Sequence, residues 1–284
     1  MIVEKSYTRL TLSLDIIRRI KRGSYAGYHE LGIIKHQINL YDVITIKPSR
    51  AMGISCASPQ VPRDSENICW KAVERVKEHF GIKENVHIEI EKNIPVKGGL
   101  AGGSANAATV IRILDRLWSL RMNKEQLLTV GREVGMDVPY YFLGKTAFDT
   151  EATGILEPVE TDLYFDFLLI ISDFGVSTKE AYKEISYHET GHQTDKTARM
   201  RDALKANDRE EVISAMHNDF EKSVFRQYAE LERLKEKFIR AGCLNVVMSG
   251  SGSTLIGLAR DKDQAQWIKE HSGEQCNIVL SFSY

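Results

Sequence analysis

The segment that most restricts this chain runs Ile94-Pro-Val-Lys-Gly-Gly-Leu-Ala-Gly-Gly-Ser-Ala-Asn106, with four glycines in the six positions 98–103. It follows the strand-like VHIEIEK of Val86–Lys92 and runs into the helical pattern of Ala107–Leu117. Glycine has no Cβ, so backbone N–H groups can approach an anion closely. The first turn of the following helix adds unpaired N–H donors and the positive end of its dipole. This order of elements suits a phosphate cradle, and Ser104 at the helix mouth is placed to bond a phosphate or a magnesium ion. The same glycines also suit a plain surface turn. Two standard nucleotide motifs do not fit. No βαβ unit with an acidic residue about 20 positions on supports a dinucleotide fingerprint. The sole Gly-Lys-Thr, at Gly144–Thr146, has Pro139 where a Walker A loop needs its first glycine. A second glycine motif, Met248-Ser-Gly-Ser-Gly-Ser-Thr254, joins two strand-like segments. Alone it reads as a hairpin turn, and it is also suited to press its backbone against the first loop.

Charge points to a small ligand. Lysine plus arginine number 38 against 39 aspartate plus glutamate in 284 residues, so no overall positive field exists to hold nucleic acid or an anionic membrane. Cys56, Cys69, Cys243 and Cys276 are widely spread with no C-x-x-C pair, which predicts free thiols rather than a zinc cage or disulfide framework. The N-terminus lacks the features of a secretory signal and no apolar run reaches a membrane span, so a cytoplasmic location is expected.

Short or alternating apolar runs predict strands at Leu10–Ile16, Val43–Ile46, Val86–Glu91, Phe167–Ile171, Asn245–Met248, Thr254–Ala259 and Cys276–Phe282. Helical periodicity predicts helices over Asn67–Phe80, 107–117, Asp208–Met216, Glu230–Ala241 and Asp261–His271, and an asparagine-capped one from Asn123. Ser186–Thr197 reads as an exposed polar loop. The pattern is mixed α and β, with its weakest stretch at Glu151–Asp162, which divides the chain into domains 1–156 and 157–284.

The strings IPVKGGLAGGSANAA and MSGSGST resemble motifs 2 and 3 of the GHMP kinases. GYHEL (27–31), INLYD (38–42), EN (66–67), GMDVPYYFLG (135–144), FGVSTKEAY (174–182) and HNDFE (217–221) resemble, in order, the 4-diphosphocytidyl-2-C-methyl-D-erythritol kinase branch of that family, which serves non-mevalonate isoprenoid precursor synthesis. The resemblance implies an α+β fold, with an N-terminal domain like ribosomal protein S5 domain 2 and a ferredoxin-like C-terminal domain. It implies an ATP- and Mg2+-dependent kinase acting on a small cytidyl-diphosphate alcohol, as a monomer or homodimer. Carried onto this sequence, Asp137 would accept the substrate hydroxyl proton. Pro95, Val96, Lys97, Gly98, Gly99, Leu100, Ala101, Gly102, Gly103, Ser104 and Ala105 would wrap the ATP phosphates, with Asn67 and Lys92 at the adenosine end. Tyr28 and Tyr182 would sandwich the cytosine ring, and His29 would bond its edge. Without the family, Asp137 reads as a helix cap and the two tyrosines as half-buried aromatics.

The family opens with Pro-Ala-Lys-Ile/Leu-Asn-Leu, where this chain has Tyr7-Thr8-Arg9-Leu10-Thr11-Leu12. Arg9 thus stands for the catalytic lysine and Thr11 for the substrate-facing asparagine. Arginine keeps the charge in a larger, planar group that cannot lose its proton, and threonine keeps one hydroxyl. Lys97 also replaces a usual glycine, Ala105 a usual serine and Ser253 a usual proline. These changes leave room for a diverged paralogue acting on another alcohol, or a protein that binds nucleotide without turnover. A zinc protease is a competing class, because His188-Glu-Thr-Gly-His192 satisfies H-E-x-x-H. That chemistry needs both histidines on one helical face, which Gly191 and the polar surroundings oppose.

Overall fold

A computed structural model describes residues 1–186, 188–273 and 277–284. By Cα proximity the chain forms two compact units that interleave in sequence: residues 1–8, 40–96 and 101–144, and residues 9–39, 97–100 and 145–284. The expected cut at 156/157 divides the chain along its length, whereas these units do not follow a single cut. Two long strands, β1 (Ile2–Arg19) and β2 (His29–Ser49), contribute residues to both.

In the first unit β3 (Gly53–Cys56) is followed by helix α1 (Ile68–Phe80), then β4 (Asn85–Glu91), α2 (Gly102–Leu117), α3 (Lys124–Val134) and the single turn α4 (Tyr140–Leu143). Residues 43–49 of β2 pair antiparallel with β4, and β3 lies parallel on the other side of β4. Helix boundaries follow local chemistry. Asn67 caps α1 by accepting from the Cys69 N–H, and Gly81 ends it in the left-handed conformation at φ 66°. Asn123 and Gln126 form a reciprocal capping box on α3. A 13-residue helix such as α1 is marginal in water, so its stability comes from its buried stripe. Val73 and Val76 of α1, Ile88 and Ile90 of β4 and Val110, Ile113 and Leu114 of α2 are all buried. Each such side chain contributes roughly 1.5–3 kcal/mol.

The second unit contains β5 (Thr146–Glu151), β6 (Leu156–Pro158), β7 (Asp166–Ile171), α5 (Thr178–Lys183), α6 (Thr194–Ala206), α7 (Arg209–Ala215), β8 (His217–Asn218) and α8 (Phe220–Gln227). It continues with α9 (Ala229–Arg240), β9 (Asn245–Met248), β10 (Leu255–Ala259), α10 (Lys262–His271) and β11 (Asn277–Phe282). A four-stranded antiparallel sheet in the order β11-β7-β10-β9 packs on a core that includes Leu168, Ile170, Phe220, Phe238, Val246, Met248, Leu255 and Ile268. Residues 30–36 of β2 pair antiparallel with β5, and Ser13–Leu14 of β1 pair parallel with β8.

The polar stretch read as a loop over 186–197 gives way to α6 already at Thr194, so that expectation runs four residues too far. The buried Met200, Ala203 and Leu204 of α6 form a stripe too sparse to stand out amid its charges. Cys56, Cys69 and Cys243 are free and buried, and Cys276 lies outside the described residues. Among the described residues no helix is long and apolar enough to cross a membrane.

Candidate active site

Within the first unit the mouth of α2 is left open to a ligand. Its N-cap, Ala101, sits in the left-handed region at φ 51° and offers no side-chain cap, unlike Asn67 on α1 and Asn123 on α3. The first-turn N–H groups are therefore available to an anion. Ser104 lies in that first turn and is partly exposed. The Tyr141 hydroxyl holds the loop from behind by donating to the Ala101 carbonyl at 3.2 Å.

Asp42 organises both ends of the loop. Its buried carboxylate accepts from the backbone N–H groups of Asn93 (2.7 Å) and Ile94 (2.8 Å) at the entry, and from the Asn106 amide (2.8 Å) in α2. It also pairs with the Lys92 ammonium at 2.9 Å, and that ammonium donates further to the Ile94 carbonyl. Burial pushes the Lys92 pKa down and Asp42 opposes the shift, leaving it below the ordinary lysine value. The two residues expected at the adenosine end thus have structural bonds: Lys92 to Asp42, and Asn67 to Cys69 N–H (2.9 Å) and the Pro62 carbonyl (2.6 Å).

The turn that carries Asp137 and this mouth both rest on one side chain. Asp137 lies partly exposed in the turn between α3 and α4, where Val138 N–H bonds the Gly135 carbonyl at 3.1 Å. Ile68, the first residue of α1, touches both sides. A Cβ on Gly103 would lie 3.4 Å from its Cγ2, and one on Gly135 would lie 3.3 Å from its Cδ1. One isoleucine therefore spaces the Asp137 turn from the first turn of α2.

In the second unit the tip of the glycine loop, residues 97–100, is clamped by the turn between β9 and β10. Ser249 Oγ donates to the Gly99 carbonyl at 3.1 Å and the Thr254 N–H donates to the Gly98 carbonyl at 3.3 Å. A Cβ on Gly99 would stand 2.0 Å from the Ser249 carbonyl oxygen, and Gly99 has φ 73°, so no side chain fits there. The turn in its turn is held by Asn218, whose amide donates to the carbonyls of Met248 (2.6 Å) and Gly250 (2.7 Å). The Met248–Thr254 motif is both things the sequence allowed, a hairpin turn and a wall for the loop. Lys97, standing where a glycine is usual, takes the left-handed conformation at φ 58°. Its side chain runs against Gly175, where a Cβ would lie 2.6 Å from the Lys97 Cβ.

Arg9, 5% exposed, also reaches this tip: its Nη1 donates to Thr11 Oγ1 at 2.8 Å and to the Gly99 carbonyl at 3.2 Å. The two replaced residues of the opening motif are thus partners of each other. Replacing Gly99 with alanine is expected to weaken ATP binding by about 5- to 150-fold, since the clash and the left-handed backbone cost on the order of 1–3 kcal/mol. Isothermal titration with a non-hydrolysable ATP analogue reads this directly.

At the start of β2, His29 stacks face to face on Tyr182 of α5, with centroids 4.2 Å apart and planes 14° apart. Tyr182 also meets the edge of Phe220 at 4.9 Å, while Tyr28 is 49% exposed and lies edge-on to Tyr25. The expected sandwich is therefore differently arranged: the face of Tyr182 is covered by His29, and Tyr28 stands outside that stack. Burial, then the nearby Arg19 guanidinium, lowers the His29 pKa, which keeps the imidazole neutral at pH 7. The zinc protease reading fails on geometry. Residues 188–192 form turns and bends, with Gly191 at φ 71° and its N–H given to Asp219.

Comparison with known proteins gives the family. The family model described as GHMP kinases N terminal domain matches residues 67–145, and that described as GHMP kinases C terminal matches 200–277. A 4-diphosphocytidyl-2-C-methyl-D-erythritol kinase of Clostridium botulinum (strain Alaska E43 / Type E3) is 35% identical over 275 residues, 95% of each chain. The chain belongs to the GHMP kinases. A relative of the same name in Gloeobacter violaceus is 36% identical over 245 residues, 84% of this chain and 81% of its own. Among solved structures, a 4-(cytidine 5'-diphospho)-2C-methyl-D-erythritol kinase superposes with a TM-score of 0.81 at 25% identity, covering all of both chains. As a GHMP kinase the chain has a mixed α/β fold; the 94–106 loop lies within the N-terminal match and the 248–254 turn within the C-terminal one. Asp42 and Asn218, which brace these motifs, had no role assigned in the sequence. Their only signal was membership of INLYD and HNDFE.

Proposed function

We propose that this GHMP kinase transfers the γ-phosphoryl group of ATP to a hydroxyl of 4-diphosphocytidyl-2-C-methyl-D-erythritol. The observation that carries the reading is the 35% identity, over 95% of both chains, to a kinase of that name. The glycine loop supplies backbone donors for the phosphates. Asp137 takes the proton of the attacking hydroxyl, and Arg9 supplies fixed positive charge for the transferring group. Phosphoryl transfer asks chiefly for positioning and charge stabilisation, so this set is sufficient.

The Ser104 hydroxyl and the nucleotide phosphates fit a hard cation that prefers oxygen ligands. Ser104, partly exposed in the first turn of α2, would hold Mg2+ together with the ATP oxygens. When bound, the ion neutralises phosphate charge. His29 is the group to read the cytosine edge, and the exposed Tyr28 ring the platform for its face.

Purified protein with ATP, Mg2+ and the cytidyl alcohol tests the proposal. Formation of the phosphorylated alcohol supports it, whereas ATP binding without that product overturns it in favour of a nucleotide-binding protein. The Arg9–Thr11 contact adds a sharper expectation. Arg9→Lys shortens the side chain, so that its ammonium falls short of the Nη1 position between Thr11 and the Gly99 carbonyl, and lowers kcat about tenfold. Adding Thr11→Asn, which restores the residue usual in the family, recovers part of that loss. Coupling of about 0.5–3 kcal/mol in the double-mutant cycle is the measured quantity.

A further inference from the structure

Outside the glycine motifs, the strongest unexplained feature is electrostatic. Arg18, Arg19, Lys21 and Arg22 place four cations in five positions of a chain whose net charge is −1. They do not lie on a flat face. All four are exposed to solvent and line one open cavity of about 830 Å³, together with Ile17, Ile20, Glu30 and Thr153. Arg18 is ion-paired with Glu30. Among the described residues no ion pair to a carboxylate engages Arg19, Lys21 or Arg22.

Like charges gathered in one concavity repel, and a concave wall focuses their field. An ordinary solvated face would spread or pair them. The volume falls within the range of about 300–1,000 Å³ typical of small-molecule sites. The lining states what fits. Arginine forks bind phosphate oxygens in pairs, the Thr153 hydroxyl adds a donor, and Ile17 and Ile20 offer apolar surface to an organic group.

We propose that this cavity is a second anion site, separate from the glycine loop, that takes a small organic diphosphate. None of its lining residues belongs to the 94–106 or 248–254 motifs. The residues that follow along the chain, Tyr28 and His29, stand at the start of β2. An occupied cavity would therefore brace the hairpin that presents them. The inference does not depend on the identity of the acceptor alcohol.

Inorganic pyrophosphate is the probe, titrated calorimetrically into the full chain without nucleotide. The wild type is expected to bind two equivalents, one in the glycine loop and one in this cavity. The Lys21→Gln/Arg22→Gln variant should lose one equivalent, or bind it at least tenfold more weakly, with its melting temperature unchanged and its turnover within twofold of wild type. Gly99→Ala should lose the other equivalent and keep this one, so failure of the cavity and failure of the ATP-loop reading give different results. Equal stoichiometry and affinity in the wild type and the double variant would overturn the proposal, as would a fall in kcat in the folded double variant. Should the double variant not fold, Arg22→Gln alone provides the same comparison. Pelleting with phosphatidylserine vesicles, lost in the variant, would also overturn the proposal, because the cations would then serve a lipid surface; no pelleting is the expected result.

Discussion

Asp137→Asn should lower kcat by about 10²–10⁴-fold, the usual worth of a positioned general base, and leave affinity for a non-hydrolysable ATP analogue within twofold. The substitution keeps the size of the side chain and its partly exposed place in the turn before α4, so the fold should be unaffected. What is removed is the capacity to take a proton. The amide cannot accept it at neutral pH, and the attacking hydroxyl must then ionise without help. Single-turnover kinetics with the cytidyl alcohol separate this from slow product release. Unchanged turnover would remove Asp137 from the chemistry.

Asp42→Ala should be the most damaging single change to stability. The Asp42 carboxylate is fully buried and its Lys92 partner is nearly so, with 10% of that side chain exposed. Removing one member of such a pair costs about 3–5 kcal/mol, because a buried charge is left behind. Lys92, whose pKa burial already lowers, would then shed its proton more readily. Loss of the acceptor also frees the N–H groups of Asn93 and Ile94 and the amide of Asn106, so both ends of the phosphate loop loosen. Denaturant unfolding should show the stability loss, and KM for ATP should rise more than KM for the alcohol. Asp42→Asn should fall between, since its oxygen can still accept from the backbone while its NH2 faces the donors Lys92 and Asn106.

These two residues show how differently parts of the site are written in the chain. Asp137 sits in GMDVPYYFLG, a local string whose glycine and proline already dictate a turn. Asp42 sits at the end of a strand-like INLYD, where nothing local distinguishes it from any surface aspartate. Its partners at 92–94 and 106 are some 50 and 64 positions away, and only pairing of β2 with β4 brings them within reach. Asn218 is similar, because its contacts with the β9–β10 turn span 30 and 32 positions.

Local periodicity and capping determined much without tertiary help. Asn67, Gly81, Asn123, Asp208 and Asp261 bound their helices where the pattern required, because caps act on the nearest turn alone. Short elements escaped. The four-residue β3, the three-residue β6 and the two-residue β8 carry too few positions to show a period, and pairing partners define them.

The glycine-rich segment and the order of strand, loop and helix are properties of the sequence alone, since glycine's freedom and helix dipoles are local. What holds that loop is not. The Asp42 carboxylate and the Ser249–Gly99 contact, like the stacking of Tyr182 on His29, join residues remote in sequence. Such contacts depend on which surfaces burial brings together, and burial is a property of the folded chain.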